Sequence, residues 1–402
     1  MRLIRTIAIC FVLLLPALTT PAIAQTVKKP ALPLFVAIQG VSNGDKEGDL
    51  YAFINGALRK RTNYGFNQEP ITAPDGQSIG FNSVVQSYTE LRDDKHYVFP
   101  VPSNISILNT ATFAARSLTN QTAQAPNADG PAFTLRSAPS WSPSGRQLAW
   151  TEIDVVLLSE EVRELTPERL IVYDLDTETS RVIIPELPKH TVVNATRAMS
   201  ALAWGYPGIA VITYLPGDDD AQRVALYTSS GTLLWEYSSE ESLGFRYSSA
   251  IWVQRSDGTY DLTSIEGQYR FDAKTGTLYI PACLTPELYS PLAPKGVSMF
   301  YNETSSGEGD PVWVIAVNGV VKTEMAAAGR YYFTSGIAIA PDGTQGAYIV
   351  YPGQGTDGGL YFYKMNSGKV RLSANGVNGI AWGPTAWRWR SFANPGDACA
   401  PL

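Results

Sequence analysis

Histidine is nearly missing from this chain. Among 402 residues there are two, His96 and His190. An imidazole-ligated metal centre needs more than that, and the acid–base chemistry most often given to histidine has little to draw on. Cysteine is almost as scarce, at positions 10, 283 and 399. No C-x-x-C pair, no H-E-x-x-H and no phosphate-binding G-x-x-x-x-G-K-[S/T] occurs. Charged residues make up 17% of the chain and the balance is acidic, −6 at neutral pH, which argues against nucleic acid or an anionic membrane as partner. Long helical periodicity is absent, which disfavours a parallel α/β fold.

What is present is apolar and turn-rich. The chain is 45% hydrophobic and 11% aromatic, and its 34 glycines and 27 prolines make up about 15% of it. This composition excludes a disordered chain, a collagen and a multi-span membrane protein. The first residues read as a secretory signal peptide: Arg2 and Arg5, an apolar core at 7–15, and Ala22-Ile23-Ala24 before the expected cleavage after Ala24. The apolar run is shorter than the ~20 residues of a spanning helix and is broken by Pro16, so no transmembrane segment is expected after cleavage. Removing 1–24 takes two arginines and leaves a net charge of −8. The expected location is secreted or periplasmic, an oxidising compartment. Cys283 and Cys399 are then a disulfide candidate that would close a loop of about 116 residues. Two separate thiols are the equal alternative, because spacing does not show that the sulfurs meet.

From residue 30 the sequence repeats. One motif is an apolar strand, a tight turn and a second apolar strand. It is seen as EPITAPDGQSIGF (69–81), APSWSPSGRQLAW (138–150), SALAWGYPGIAVITY (200–214) and GIAIAPDGTQGAYIVY (336–351), and more loosely at 248–264, 290–301 and 379–389. Pro74, Pro143 and Pro341 pre-set φ for the turn, and Gly76, Gly145 and Gly343 accept the positive φ that follows. The other motif is a hairpin of aromatic and β-branched strands around a polar turn, at 49–61, 96–108, 169–183, 223–237, 268–280, 311–325 and 359–373. The two motifs alternate strictly, seven of each, with hairpin starts 43–73 residues apart. Four-stranded propeller blades take about 40–50 residues. Residues 115–131 read as an exposed loop, and 157–169 as a short helix or an extended hairpin. The chain opens on a hairpin and closes on a lone inner strand. Pairing 379–384 with the blade begun at 34–61 would therefore complete a ring.

The segments EPITAPDGQSIGF, APSWSPSGRQLAW and GIAIAPDGTQGAYIV resemble the WD40-like, TolB-type (PD40) propeller repeat, with its apolar strand, SPDG turn and IAF/IAW strand. The resemblance implies an all-β fold, a seven-bladed β-propeller with six or eight blades as alternatives, over residues 31–392, followed by a tail at 393–402. It implies no activity, since this repeat serves many functions. The repeats begin almost at the expected cleavage site and leave no stretch of about 250 residues beside them, so counterparts of TolB's N-terminal domain and of the hydrolase domain of prolyl oligopeptidase relatives are not expected within these residues, and the Trp-Asp dipeptide of true WD40 repeats is missing.

No residue set qualifies as catalytic. Asp218-Asp219-Asp220 reads as a solvated turn. NGDKEGD (43–49) spaces Asn43, Asp45, Glu47 and Asp49 like the start of a calcium loop, with Gly48 at the sharp turn, but the twelfth position is Ile54 rather than a bidentate carboxylate. A Ca²⁺ site and a plain polar turn are the two readings. Trp141, Trp150, Trp204, Trp252 and Trp382 sit in strands and are expected in the core, whereas Tyr206, Tyr214, Trp387 and Trp389 are candidates for a sugar platform. Asn104, Asn120, Asn194 and Asn302 lie in glycosylation sequons. Two functions remain: a non-catalytic module that binds a protein or other ligand at a propeller face, and a carbohydrate-active or glycan-binding protein using acids and aromatics there.

Overall fold

The computed structural model describes Leu34–Ile38 and residues 49–63, 67–84, 102–121, 131–157, 163–187 and 199–214. It also describes most of 221–279 and the strands between 287 and 388. Residues 1–30 form one unit, outside the described residues, and Ala31–Leu402 the other. Among the described residues no helix is long and apolar enough to cross a membrane.

Every regular element described is a strand. β1 (Leu34–Ile38), β2 (Leu50–Ile54) and β3 (Ala57–Lys60) pair in succession. The next sheet is β4 (Asn67–Thr72), β5 (Ser78–Val84), β6 (Ser103–Asn109) and β7 (Ala115–Ser117). A six-stranded sheet follows, of β8 (Pro131–Arg136), β9 (Ser140–Trp141), β10 (Gln147–Leu157), β11 (Arg163–Leu165), β12 (Arg169–Asp174) and β13 (Thr179–Ile184). Next come β14 (Ala201–Gly205), β15 (Gly208–Tyr214), β16 (Gln222–Tyr227) and β17 (Leu233–Ser239).

A nine-stranded sheet holds β18 (Ile251–Gln254), β19 (Tyr260–Thr263), β20 (Arg270–Asp272) and β21 (Leu278–Tyr279), together with β22 (Glu287–Tyr289), β23 (Val297–Asn302), β24 (Val312–Val317) and β25 (Val320–Ala326). A further sheet comprises β26 (Ile337–Ile339), β27 (Gln345–Val350), β28 (Gly359–Lys364) and β29 (Gly368–Ser373). β30 (Val377–Ala381) then returns to the start of the chain and pairs antiparallel with β1, Val36 opposite Ile380. β31 (Ala386–Arg388) joins the two halves of the nine-stranded sheet, between β18 and β22.

Among the described residues neighbouring sheets pack face against face through shared apolar cores. Phe35, Leu50 and Ala52 share a core with Ile79, Phe81 and Leu108 of the next sheet. Ile105 and Ile107 meet Trp141, Leu148 and Trp150. Ala149, Leu170 and Val172 meet Ile209, Val211 and Ala225. Ala203, Ile212 and Leu226 meet Leu262 and Phe271. Phe53 and Phe362 bring β2 and β28 together, ring centroids 4.5 Å apart. Successive residues of β10, Leu148 and Ala149, therefore enter different cores, as the period of two requires. Innermost strands carry tryptophans that reach back one sheet. Trp141 Nε1 donates to the Ile71 carbonyl and Trp252 Nε1 to that of Ala203, both at 3.0 Å. Trp252 lies so close over Gly205 that a Cβ there would be 2.4 Å from its ring.

The turns follow the sequence. Gly76 and Gly145, both at φ 71°, close the Pro turns by donating to the carbonyls of Ala73 and Ser142. The hairpin turns share a second device. The Oδ1 atoms of Asn109, Asp174 and Asp272 each accept two backbone N–H groups at 2.9–3.1 Å, and the hydroxyl of the Thr three residues on as well. The residue after that Thr is left-handed: Phe113 at φ 60°, Glu178 at 55°, Gly276 at 68°.

One expectation needs correction. The hairpin read at 96–108 is built instead from β6 and β7, so the supposed loop 115–131 begins with a strand, while 96–101 lies outside the described residues. Of the two readings of 157–169, the described residues support the extended hairpin, since Val155–Leu157 of β10 pair with Arg163–Leu165 of β11.

The left-handed turns give a test. Phe113 is held by the Phe35 ring and by Arg61, 4.0 Å from its centroid, whereas Glu178 has only an exposed pairing with Arg116. Glu178→Gly should stabilise the protein by about 0.5–1 kcal/mol, because a left-handed L-residue costs about 1–2 kcal/mol and glycine gives back part of that in unfolded-chain entropy. Urea unfolding midpoints of the two proteins check this, and Phe113→Gly should move in the opposite direction.

Candidate functional site

Antiparallel pairing gives each sheet two unlike ends. The turns after first and third strands meet at one end: Thr110 N donates to Gln77 O and Leu175 N to Arg146 O, both at 2.9 Å. The connections after second strands leave from the other end, and there the described residues assemble their main charged cluster.

β10 builds that cluster by running eleven residues. Its first half lies between β9 and β12, and its second half between β8 and β11. Register places Arg136, Glu152 and Arg169 in one cross-strand row and Thr134 opposite Asp154 in the next. All of them share one face, because residues two apart on a strand do. Glu152 accepts from Arg136 Nε at 2.8 Å, from Trp150 Nε1 at 3.0 Å and from Arg169 Nη2 at 2.9 Å. Arg169 Nη1 also reaches Asp154 at 2.6 Å, and Thr134 Oγ1 donates to Asp154 at 2.7 Å. Arg136 extends the network to the preceding sheet by donating to the Ser103 carbonyl at 2.7 Å. Asn82 Nδ2 in that sheet returns bonds to the carbonyls of Arg136 and Ser137.

Burial alone would raise the pKa of Glu152. The Arg136 charge and the bonds from Trp150, Arg169 and Arg136 outweigh it and hold the carboxyl below its ordinary 4.5. Asp154 is likewise held below 3.8 against its burial, by Arg169 and Thr134. The two carboxylates share one guanidinium, so they do not form an acid–base pair of the glycosidase kind, in which one partner must carry a proton. The neighbouring Trp150 is fully buried and offers no sugar platform.

Other buried acids are committed in similar ways. Glu168, between β11 and β12, accepts from the backbone N and hydroxyl of Ser200, both at 2.8 Å, and burial pushes its pKa up. Asp261 and Arg270 are both fully buried, 3.9 Å apart, with Tyr279 donating to the same carboxylate.

Of the residues proposed for calcium, Asn43, Asp45 and Glu47 lie outside the described residues. Asp49 is buried, accepts from Thr62 Oγ1 at 2.9 Å and pairs with Lys60. Among the described residues no group of three metal-binding side chains occurs. Cys283, Cys399, His96, His190, Trp389 and Asp218–Asp220 lie outside the described residues, as does the side chain of Trp387. Tyr206 is exposed as expected. Tyr214 is not a free platform, since its hydroxyl donates to the Phe245 carbonyl at 3.0 Å. Asn104 is tied through its side chain to Gln121 and Thr119.

Two short patterns in the sequence also need structural context. Gly40-Val41-Ser42-Asn43-Gly44 has nucleophile-elbow spacing and Gly353–Gly358 has G-x-G-x-x-G spacing. The first joins β1 to β2 and the second β27 to β28, both antiparallel strand pairs. The chemistry of either motif requires a strand-to-helix turn.

The sequence matches no protein-family model, and no curated protein matches it in sequence. Solved structures similar to it include TolB from Acinetobacter baumannii, at 12% identity over 89% of this chain and 66% of that one, with a TM-score of 0.39. The β-propeller domain of the trilobed protease from Pyrococcus furiosus is 13% identical over 77% and 85%, with a TM-score of 0.39. Pyrococcus horikoshii acylaminoacyl peptidase is 15% identical over 86% and 52%, with a TM-score of 0.46. The chain thus spans about two thirds of TolB and about half of the peptidase. The described fold is all-β, a series of antiparallel sheets packed through shared apolar cores, and the solved structures similar to it include β-propeller domains.

The arginine–carboxylate network predicts a pH signature. Glu152 and Asp154 have folded pKa values below their unfolded ones. Their stabilisation is therefore complete above about pH 4.5 and lost as pH falls through the lower folded values. Glu152→Ala, which strands Arg136 and Arg169, should cost about 3 kcal/mol at pH 7. The cost should shrink as pH approaches 3. Urea unfolding of both proteins at the two pH values measures it, and an equal cost at both would contradict the assignment.

Proposed function

We propose that this chain is an exported, seven-bladed β-propeller, closed by β30 against β1, that works as a non-catalytic binding module. Counting β22–β25 apart from β18–β21 gives seven sets of strands, and the β1–β30 pair with the Phe53–Phe362 contact supports the closure. The commitment of the buried carboxylates to arginine, lysine and hydroxyl partners carries the binding reading over a catalytic one. Glu152, Asp154, Asp49 and Glu168 each hold strands or sheets together.

The binding face is the end from which the longer connections leave, such as 85–102, 303–311 and 351–358, since recognition residues concentrate on connections carried by a rigid scaffold. The opposite end is finished in tight turns. An acidic net charge favours a neutral or basic protein partner. Export follows from the leader, and the mature chain then begins at Gln25.

Expression with the leader should yield a protein whose intact mass starts at Gln25. That protein, used as bait on envelope and culture-supernatant extracts with cross-linking mass spectrometry, should capture a partner whose cross-links fall in the second-to-third strand connections. Turnover in a panel of glycan and peptide substrates, with no such cross-links, would overturn the reading.

A further inference from the structure

At the tight-turn end one side chain stands out. Tyr206 is 76% exposed, more than any other large hydrophobic side chain described. It sits in the two-residue turn Tyr206-Pro207 between β14 and β15, whose base is the Gly205–Gly208 pair. That base is rigid: Trp252 of the next sheet covers Gly205, leaving no room for a Cβ, and bonds to the Ala203 carbonyl. Tyr260, the first residue of β19, places its ring 5.8 Å from that of Tyr206 at 38°. Its own carbonyl accepts from Ala273 N, which ties the pair to the adjacent hairpin turn. The exposed ring is therefore held in place from two sheets while its outer face is left to solvent.

We propose that Tyr206, backed by Tyr260, is a stacking platform for a pyranose ring of a neutral glycan. A phenol ring presents a flat π-face with a polar edge, which suits the C–H face and hydroxyl rim of a sugar. The geometry decides against a proline-rich peptide. Such a ligand inserts into slots between aromatic rings, and rings 5.8 Å apart are already in contact, so no slot lies between them. The chain's acidic balance decides against an anionic polysaccharide. This site lies at the end opposite the proposed partner face and stands or falls separately from it.

The test is affinity electrophoresis of the mature protein in gels containing xyloglucan, hydroxyethylcellulose, laminarin or mannan, followed by calorimetric titration with hexasaccharides of the polymer that retards it. Retardation in at least one neutral gel is expected. Tyr206→Ala should weaken the hexasaccharide about tenfold, and Tyr206→Phe should stay within about twofold of the parent. The urea midpoint of Tyr206→Ala should move only slightly, because most of the ring is exposed and its removal gives up the contact with Tyr260 alone among the ring contacts described. No retardation in any neutral gel, retardation that Tyr206→Ala leaves unchanged, or tighter binding of a polyproline decamer or polygalacturonate would overturn the proposal.

Discussion

A sheet that is apolar on both faces cannot be left with one face in water, and that constraint organises the molecule. Each strand of β10's kind sends alternate side chains into two different cores, Leu148 and Trp150 into one and Ala149 into the next. Such a sheet is stable only between two others. The first sheet is therefore under the same demand as the rest, and the chain meets it by bringing β30 back beside β1 and Phe362 against Phe53. The tryptophans of the inner strands add direction to this packing. Trp141 and Trp252 each set the ring against the preceding sheet and donate the indole N–H to a carbonyl there, which offsets the cost of removing that group from water.

The charged cluster around Glu152 is a consequence of the same packing rather than a departure from it. In the second half of β10, Ile153 and Val155 stay in the apolar core on one face, while the face that carries Trp150 continues with Glu152 and Asp154. Arginines from both neighbouring strands fill that place, and their donors satisfy Glu152, Asp154 and the Ser103 carbonyl together. Acids bound in this way hold sheets together, and a proton-transfer role would require one of them to be released. The proposed functions accordingly use the surface: the connections at one end and the exposed tyrosine at the other.

Much of the fold was legible in the sequence because turns announce themselves locally. Pro74-Asp75-Gly76 and Ser142-Pro143-Ser144-Gly145 need only their own backbone to be read, and the lone inner strand near 379 was enough to suggest its pairing with the N-terminal hairpin. The repeated Asn/Asp-x-x-Thr turn was equally local and was missed, because Phe113 and Glu178 hide the left-handed position that Gly276 reveals. The Arg136–Glu152–Arg169–Asp154 cluster was not legible. Its members come from three strands, and a register slip of one residue would send each to the opposite face. Tyr206 was readable as a loop aromatic, but its partner Tyr260 comes from another sheet. Asp49 was singled out for a calcium-like spacing, and its carboxylate meets Thr62 and Lys60, while Asn43, Asp45 and Glu47 lie outside the described residues.

The account rests on the return of β30 to β1, with Val36 opposite Ile380. Cα atoms of directly opposed antiparallel residues lie about 4.5–5.5 Å apart, inside the range of about 4.4–6.8 Å that a disulfide spans. Mass spectrometry of the oxidised Val36→Cys/Ile380→Cys variant should find the two peptides linked within one chain, and the Val36→Cys/Asn378→Cys control should lack the link. A folded variant with no link at 36–380, or equal linkage in both, would contradict the account.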